Sequence, residues 1–322
     1  MALQICTLSG VDETTPLFEL AVISDLYPFA EWGFLYSPKQ AGTPGRYPTV
    51  ARIERALTEV PKYVRMALHV RGAGVPQLLD GEPVVNGLVE KTGARNGRVQ
   101  LDFDATEGEV NLDRLRQLIQ VSPAVTFITL HNAANLRVTH HLAGLPNHAV
   151  LFEASGGRDL PPQEWPKVLE STSCGYAGGI GPETIDTQLG RLQAAAAGAD
   201  FWINVEGRIR DRDDRFDLRA ARHCLDACLA SMSQLVPSVS ERPHRRRLES
   251  ADLMELGMVR DTSAEPEFEL MLRRMVNATS DSFDPSIVSV RREAMDLLQR
   301  KGGSSPLRSG ALDPMVAMRR AP

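Results

Sequence analysis

Two stretches of this sequence have residue types and spacings suited to holding an anion. Ala177-Gly178-Gly179-Ile180-Gly181-Pro182-Glu183 directly follows a short apolar run. Gly178, Gly179 and Gly181 let backbone amides approach a ligand closely. Pro182 suits the first position of a helix, where no donor is lost. A helix start behind such a turn offers free N–H groups and a positive dipole end, which suits a phosphate. The same residues would also serve a tight turn with no ligand. The second stretch is Asn204-Val205-Glu206-Gly207-Arg208. Gly207 offers an amide and Arg208 a charge to the same anion. Glu206 would repel phosphate if it pointed inward, so it is expected to face a helix or to pair with an arginine.

A third constellation has metal-ligand chemistry. His69, Asp102 and His131 are each expected to end a strand. Together with Cys6 or Glu153 they could hold a divalent ion on the open face of a barrel. The alternative is a set of separate, hydrogen-bonded histidines at the mouth. Cys224 and Cys228 lie four apart on an expected helix. No second pair with zinc-like spacing follows, so they are read as apolar core residues.

These residues need a scaffold that brings distant chain segments to one face. Short apolar runs alternate with longer amphipathic stretches eight times. The strands are expected at Leu3–Leu8, Glu31–Tyr36, Val64–Val70, Arg98–Phe103, Thr126–His131, Ala149–Glu153, Gly175–Ala177 and Phe201–Val205. Helices are expected at Asp12–Phe29, Thr49–Glu59, Leu112–Val121, Pro182–Ala197 and Asp217–Ser231. Residues 72–97 read as a long loop. Strand–helix alternation implies parallel strands, since each return crossover needs a helix. Eight units over residues 1–236 predict an α/β protein, a (β/α)8 TIM barrel. An open doubly wound sheet would place a Gly-rich turn after the first strand. Here that strand ends Cys6-Thr7-Leu8-Ser9-Gly10, with no G-x-G-x-x-G.

Bulk properties narrow the function. The 322-residue chain is 43% hydrophobic and 24% charged, with a net charge of −5. That balance fits a soluble enzyme of the cytoplasm, with a small-molecule substrate and no nucleic-acid partner. No stretch approaches ~18 uninterrupted apolar residues, so no membrane partner is expected. After Val236 the character changes. The run His244-Arg245-Arg246-Arg247 reads as a solvated linker, followed by helical periodicity at Glu249–Met258, Glu267–Val276 and Pro285–Lys301. The end, from Gly302 onward, reads as disordered. Residues 237–322 thus read as linker, short helices and flexible tail, an element that could dock a protein partner.

Several separated motifs carry a resemblance. These are Gln4-Ile5-Cys6; Trp32-Gly33-Phe34-Leu35-Tyr36-Ser37-Pro38-Lys39 with Arg46-Tyr47; Val99-Gln100-Leu101; Glu153-Ala154-Ser155-Gly156-Gly157; and Ala177 to Glu183. In order and spacing they resemble phosphoribosylanthranilate isomerase, a barrel enzyme of tryptophan biosynthesis. The resemblance spans roughly residues 3–230. It implies a cofactor-free Amadori rearrangement, an aminoaldose phosphate becoming an aminoketose phosphate. An acid opens the sugar ring and a base then removes the C2 proton. The resemblance makes Cys6 the base and Glu153 the acid. Arg46 would hold the aromatic acid end, and Gly156, Gly157, Gly178, Gly179, Gly181, Gly207 and Arg208 would bind the substrate.

The sequence also departs from the family at the mouth. Gln4 and Thr7 flank the cysteine where the family has Lys and Gly. Glu153 replaces an aspartate, and a carboxyl displaced by about an ångström can cost ~100-fold in rate. Asp102-Phe103 replaces a His-Gly pair. The scaffold and phosphate grip are therefore expected to transfer better than the substrate. Two other functions fit the sequence: a metal-dependent phosphosugar epimerase or aldolase, and a non-catalytic phosphate-binding barrel with a partner-docking tail.

Overall fold

The computed structural model describes residues 3–105, 110–153 and 160–234. The expectations for residues 237–322, and those for Gly156 and Gly157, lie outside the described residues. Eight parallel strands close into a barrel in chain order: β1 (Leu3–Ser9), β2 (Ala30–Tyr36), β3 (Arg65–Arg71), β4 (Arg98–Asp102), β5 (Thr126–His131), β6 (His148–Glu153), β7 (Ser173–Ala177) and β8 (Phe201–Val205). The expected barrel is therefore present, with strand ends within two residues of those read from the sequence. Among the described residues no helix is long and apolar enough to cross a membrane.

Helices α1 (Leu17–Leu26), α2 (Val50–Glu59), α3 (Gly74–Leu79), α4 (Pro83–Gly93), α5 (Leu112–Val121), α6 (Leu136–Leu142), α7 (Ile185–Ala196) and α8 (Leu218–Gln234) lie between and after the strands. Their starts follow from local chemistry. The Thr49 hydroxyl accepts from the Arg52 amide, and the Asn111 side chain accepts from the Arg114 amide. Helix α1 begins later than Asp12 because the Asp12 carboxylate accepts from the Thr14 and Thr15 amides, an alternative to the helical pattern. Residues 72–97 are not a loop. They hold α3 and α4, the latter opened by Glu82, whose carboxylate accepts from Val84 and Val85, and by Pro83 at its first position.

The strands bury both faces. Outward side chains such as Leu8, Trp32, Phe127 and Tyr176 pack against the helices in the large core. Inward side chains include a small apolar cluster of Ile128, Ala149, Leu151, Ala177 and Trp202, with Ile5 and Leu130 against it. The Trp202 indole fills the interior so fully that a Cβ at Gly175 would stand 2.1 Å from it. Below the mouth the interior is polar. Arg98 donates to Glu31 through Nε and Nη2, at 2.5–3.0 Å, and to Thr7 at 2.7 Å. Thr7 in turn donates to Glu31, and the guanidinium lies 4.6 Å over the Trp202 ring. On the outward face of β5 and β6, the ring of buried His148 lies 2.9 Å from the Thr129 hydroxyl. Burial pushes its pKa down to about 4.

Candidate active site

A cavity of about 480 Å³ opens at the carboxyl ends of the strands. In barrels of this topology that end carries the ligand-binding loops. Its wall includes Arg46, Arg71, Asp102, Glu153, Gly178, Glu206 and Gly207, and its floor Gln100 and Asn204.

A chain of ion pairs runs around the rim. Arg46 bonds Asp214 at 2.8 Å and Glu206 at 3.1 Å. Arg71 bonds the other oxygen of Glu206 at 2.7 Å and Asp102 at 2.7 Å. The arginine pairing expected for Glu206 is thus present twice over. Burial alone would lower the Arg71 pKa. The carboxylates of Asp102 and Glu206 outweigh it and hold the guanidinium well above its ordinary range. Asp102 is committed on both oxygens, since its second accepts from the Gln100 amide nitrogen at 2.7 Å.

Cys6 must be removed from the site. Residues 5, 7 and 9 of β1 face the barrel interior, so Cys6 faces α8. There it is wholly buried with Cys224 and Cys228. A hydrogen bond to Cys228 and burial raise its pKa well above the ordinary thiol value. A thiol of that kind is protonated at neutral pH and stands behind the strand. Cys224 and Cys228 are core residues, as expected.

The metal constellation also fails. His131 faces the helices, with Nδ1 2.9 Å from the Thr139 hydroxyl and its ring edge-on to Phe152. His69 and Asp102 point inward, but Asp102 is engaged as above. Among the described residues no group of three or more His, Cys, Asp or Glu is placed to hold a metal ion.

The Gly-rich turn is divided in its roles. Gly178, at φ 109°, lines the cavity, as does Ile180. Gly179, at φ 66°, is required by packing, since a Cβ there would lie 2.0 Å from the Pro161 nitrogen. A Cβ at Gly181 would lie 2.2 Å from the Arg208 Cβ, and its amide donates to the Thr184 hydroxyl at 3.1 Å. Gly181 therefore shapes the turn and offers no amide to a ligand. The Arg208 side chain packs beside this turn, 3.7 Å from Glu183. Helix α7 starts at Ile185, three residues later than its expected start at Pro182.

Ser9, to which the sequence-based expectations gave no role, braces the floor. Ser9 donates to the Asn204 side-chain oxygen at 2.5 Å and lies 3.4 Å from His69 Nε2. Gly33 makes room for this group, because a Cβ there would stand 2.6 Å from the Ser9 hydroxyl. His69 Nδ1 is buried without a hydrogen-bond partner among the described residues, and burial lowers the ring's pKa. The signal for Ser9 was present as the alternation Ile5-x-Thr7-x-Ser9 before Gly10.

No family model matches this sequence, and no curated protein matches it. Solved structures of similar fold include phosphoribosylanthranilate isomerase from Thermotoga maritima, 15% identical, covering 71% of this chain and all of that one, with a TM-score of 0.45. TrpF from Jonesia denitrificans is 12% identical, covering 71% and 98%, with a TM-score of 0.47. The 3-hexulose-6-phosphate synthase from Salmonella typhimurium is 15% identical, covering 70% and 99%, with a TM-score of 0.43.

Proposed function

We propose that the barrel is a cofactor-free isomerase of a sugar phosphate, acting in the cytosol and carrying out an Amadori-type rearrangement of an aminoaldose phosphate. The observation that carries this reading is the cavity itself. It joins Glu153 at the end of β6 to Gly178 after β7 and Gly207 after β8. The two glycine-bearing turns suit the phosphate, and the carboxyl suits proton transfer. The motif resemblance supplies the reaction class. A protein partner for residues 237–322 remains part of the proposal.

With Cys6 behind the strand, one carboxyl does both proton transfers. Glu153 gives its proton to the ring oxygen as the C1–O bond breaks, leaving a protonated imine. The resulting carboxylate takes the C2 proton, and the C–H electrons form the C1=C2 bond of an enaminol. The enaminol gains a proton at C1 and loses the one on O2 to become the ketone, so the enzyme ends unchanged. Both atoms served by Glu153 flank the same carbon, so one side chain can reach them.

The test is turnover of an N-aryl aminoaldose phosphate, followed by the fluorescence of its aryl group. Glu153→Gln is expected to lose more than about 100-fold in kcat. Cys6→Ala is expected to retain wild-type kcat. A folded protein that turns over no such substrate would sink the reaction. Tight binding without turnover would favour a binding barrel instead.

A further inference from the structure

The floor of the cavity carries two side-chain amides whose orientations are already decided. On β8, Asn204 has its oxygen taken by the Ser9 hydroxyl at 2.5 Å. The direction of that bond follows from His69. If Nδ1 carried the ring proton, a buried N–H would be left with no partner. With the proton on Nε2, His69 donates to Ser9, and Ser9 spends its own proton on Asn204. The Asn204 NH2 is left for the cavity that the residue lines. On β4, Gln100 is fixed in the opposite sense. Its NH2 donates to Asp102, which Arg71 holds at 2.7 Å, so the Gln100 oxygen is left for the cavity. Strands β4 and β8 stand four positions apart in either direction around the closed barrel. A donor and an acceptor therefore face the same space from opposite walls.

Both residues are nearly buried, at 3% exposure for Gln100 and 7% for Asn204. A buried polar group with no partner is costly, so the floor favours a ligand that satisfies both amides. A hydroxyl group accepts and donates at once. A bare carboxylate only accepts, and an alkyl chain does neither. We infer that the floor reads the hydroxyl groups of a carbohydrate, which accept a hydrogen bond from the Asn204 NH2 and donate one to the Gln100 oxygen. This rests on the sugar part of the function proposed above, and not on its phosphate or its reaction. Asn204 and Gln100 are then specificity residues, and Ser9 and His69 are positioning residues.

The probes are ribose 5-phosphate and pentyl phosphate, which share a phosphate and differ in hydroxyls, with binding measured by calorimetry. Wild type is expected to bind ribose 5-phosphate at least tenfold more tightly. Asn204→Leu and Gln100→Met should each remove most of that preference and leave pentyl phosphate unchanged. Ser9→Ala, which frees the Asn204 amide to turn, should weaken ribose 5-phosphate about threefold by the loss of orientation alone. Equal wild-type affinity for the two probes overturns the inference, as does a parallel loss of both in the variants. If neither ester binds, the phosphate reading falls and the floor is tested with ribitol by saturation-transfer NMR. A ribitol signal lost in both variants supports the inference, and no signal from wild type overturns it.

Discussion

The barrel interior holds arginine–carboxylate chemistry at two levels, and the levels are built differently. In the lower level Arg98 is closed in by Glu31, Thr7 and the Trp202 ring, with side-chain exposures of 10% for Arg98 and 3% for Glu31. At the mouth, Arg46 and Arg71 share Glu206, and Arg46 is 31% exposed. In the lower level both charges are nearly buried, so losing one strands the other. At the mouth, each arginine bridges two carboxylates, so a ligand can displace one partner without orphaning a charge. The same chemistry is a rivet in one place and an adjustable rim in the other.

That comparison predicts a graded set of outcomes. The largest is at the lower pair. Arg98→Met alone strands the Glu31 carboxylate and should lower stability by about 3–5 kcal/mol in urea titrations. Adding Glu31→Leu should recover most of it, because an apolar pair satisfies the site without charge. A single-variant loss below about 1 kcal/mol would break the distinction between the two levels.

Next comes acid sensitivity on the outward face of the strands. His148 is held neutral, its pKa lowered from 6.5 to about 4. The unfolded chain therefore takes up a proton that the folded chain refuses. This contribution is complete above pH 6.5 and is lost as pH falls toward about 4. It amounts to about 3 kcal/mol. His69, lowered by burial, acts in the same direction. Wild type should lose stability across this window, and His148→Gln should lose markedly less over the same range.

Smaller effects sharpen the contrast. Cys6→Ala removes one buried sulfur from the layer between β1 and α8 and should cost about 1 kcal/mol by thermal melting. Arg46→Gln should cost less than about 1 kcal/mol, because Arg71 still neutralises Glu206 and the partner Asp214 is 48% exposed. Its effect should appear as weakened ligand binding, and a large loss of stability would show the rim to be as rigid as the lower pair.

The strands were legible because each is a short apolar run closed by a polar residue or glycine. What the sequence concealed was which way each residue points. In a strand buried on both faces, apolar residues occupy inside and outside alike, so the alternation that sorts a half-exposed strand is weak. Cys6 was assigned to the mouth by the resemblance alone, while the polar alternation of Thr7 and Ser9 marked the interior. His131 was misplaced by the same one-residue ambiguity. Helices α3 and α4 were missed because their glycines and Pro76 obscured the periodicity, although Glu82-Pro83 is a regular helix start. The pairing of Glu206 was anticipated on charge alone, but its partners, from β3 and from the segment after β2, could not be known before the barrel closed.

The bond between Ser9 and Asn204 joins residues 195 apart in sequence. It also crosses β1 to β8, the seam where the first strand meets the last. A chain that has made seven strands has nothing to turn the Asn204 amide toward a ligand, because Asn204 is not yet in place. Recognition of the ligand is in this sense the final act of folding. A bound carbohydrate would report that the ring has shut, and would hold it shut by favouring the closed state over any with a frayed seam.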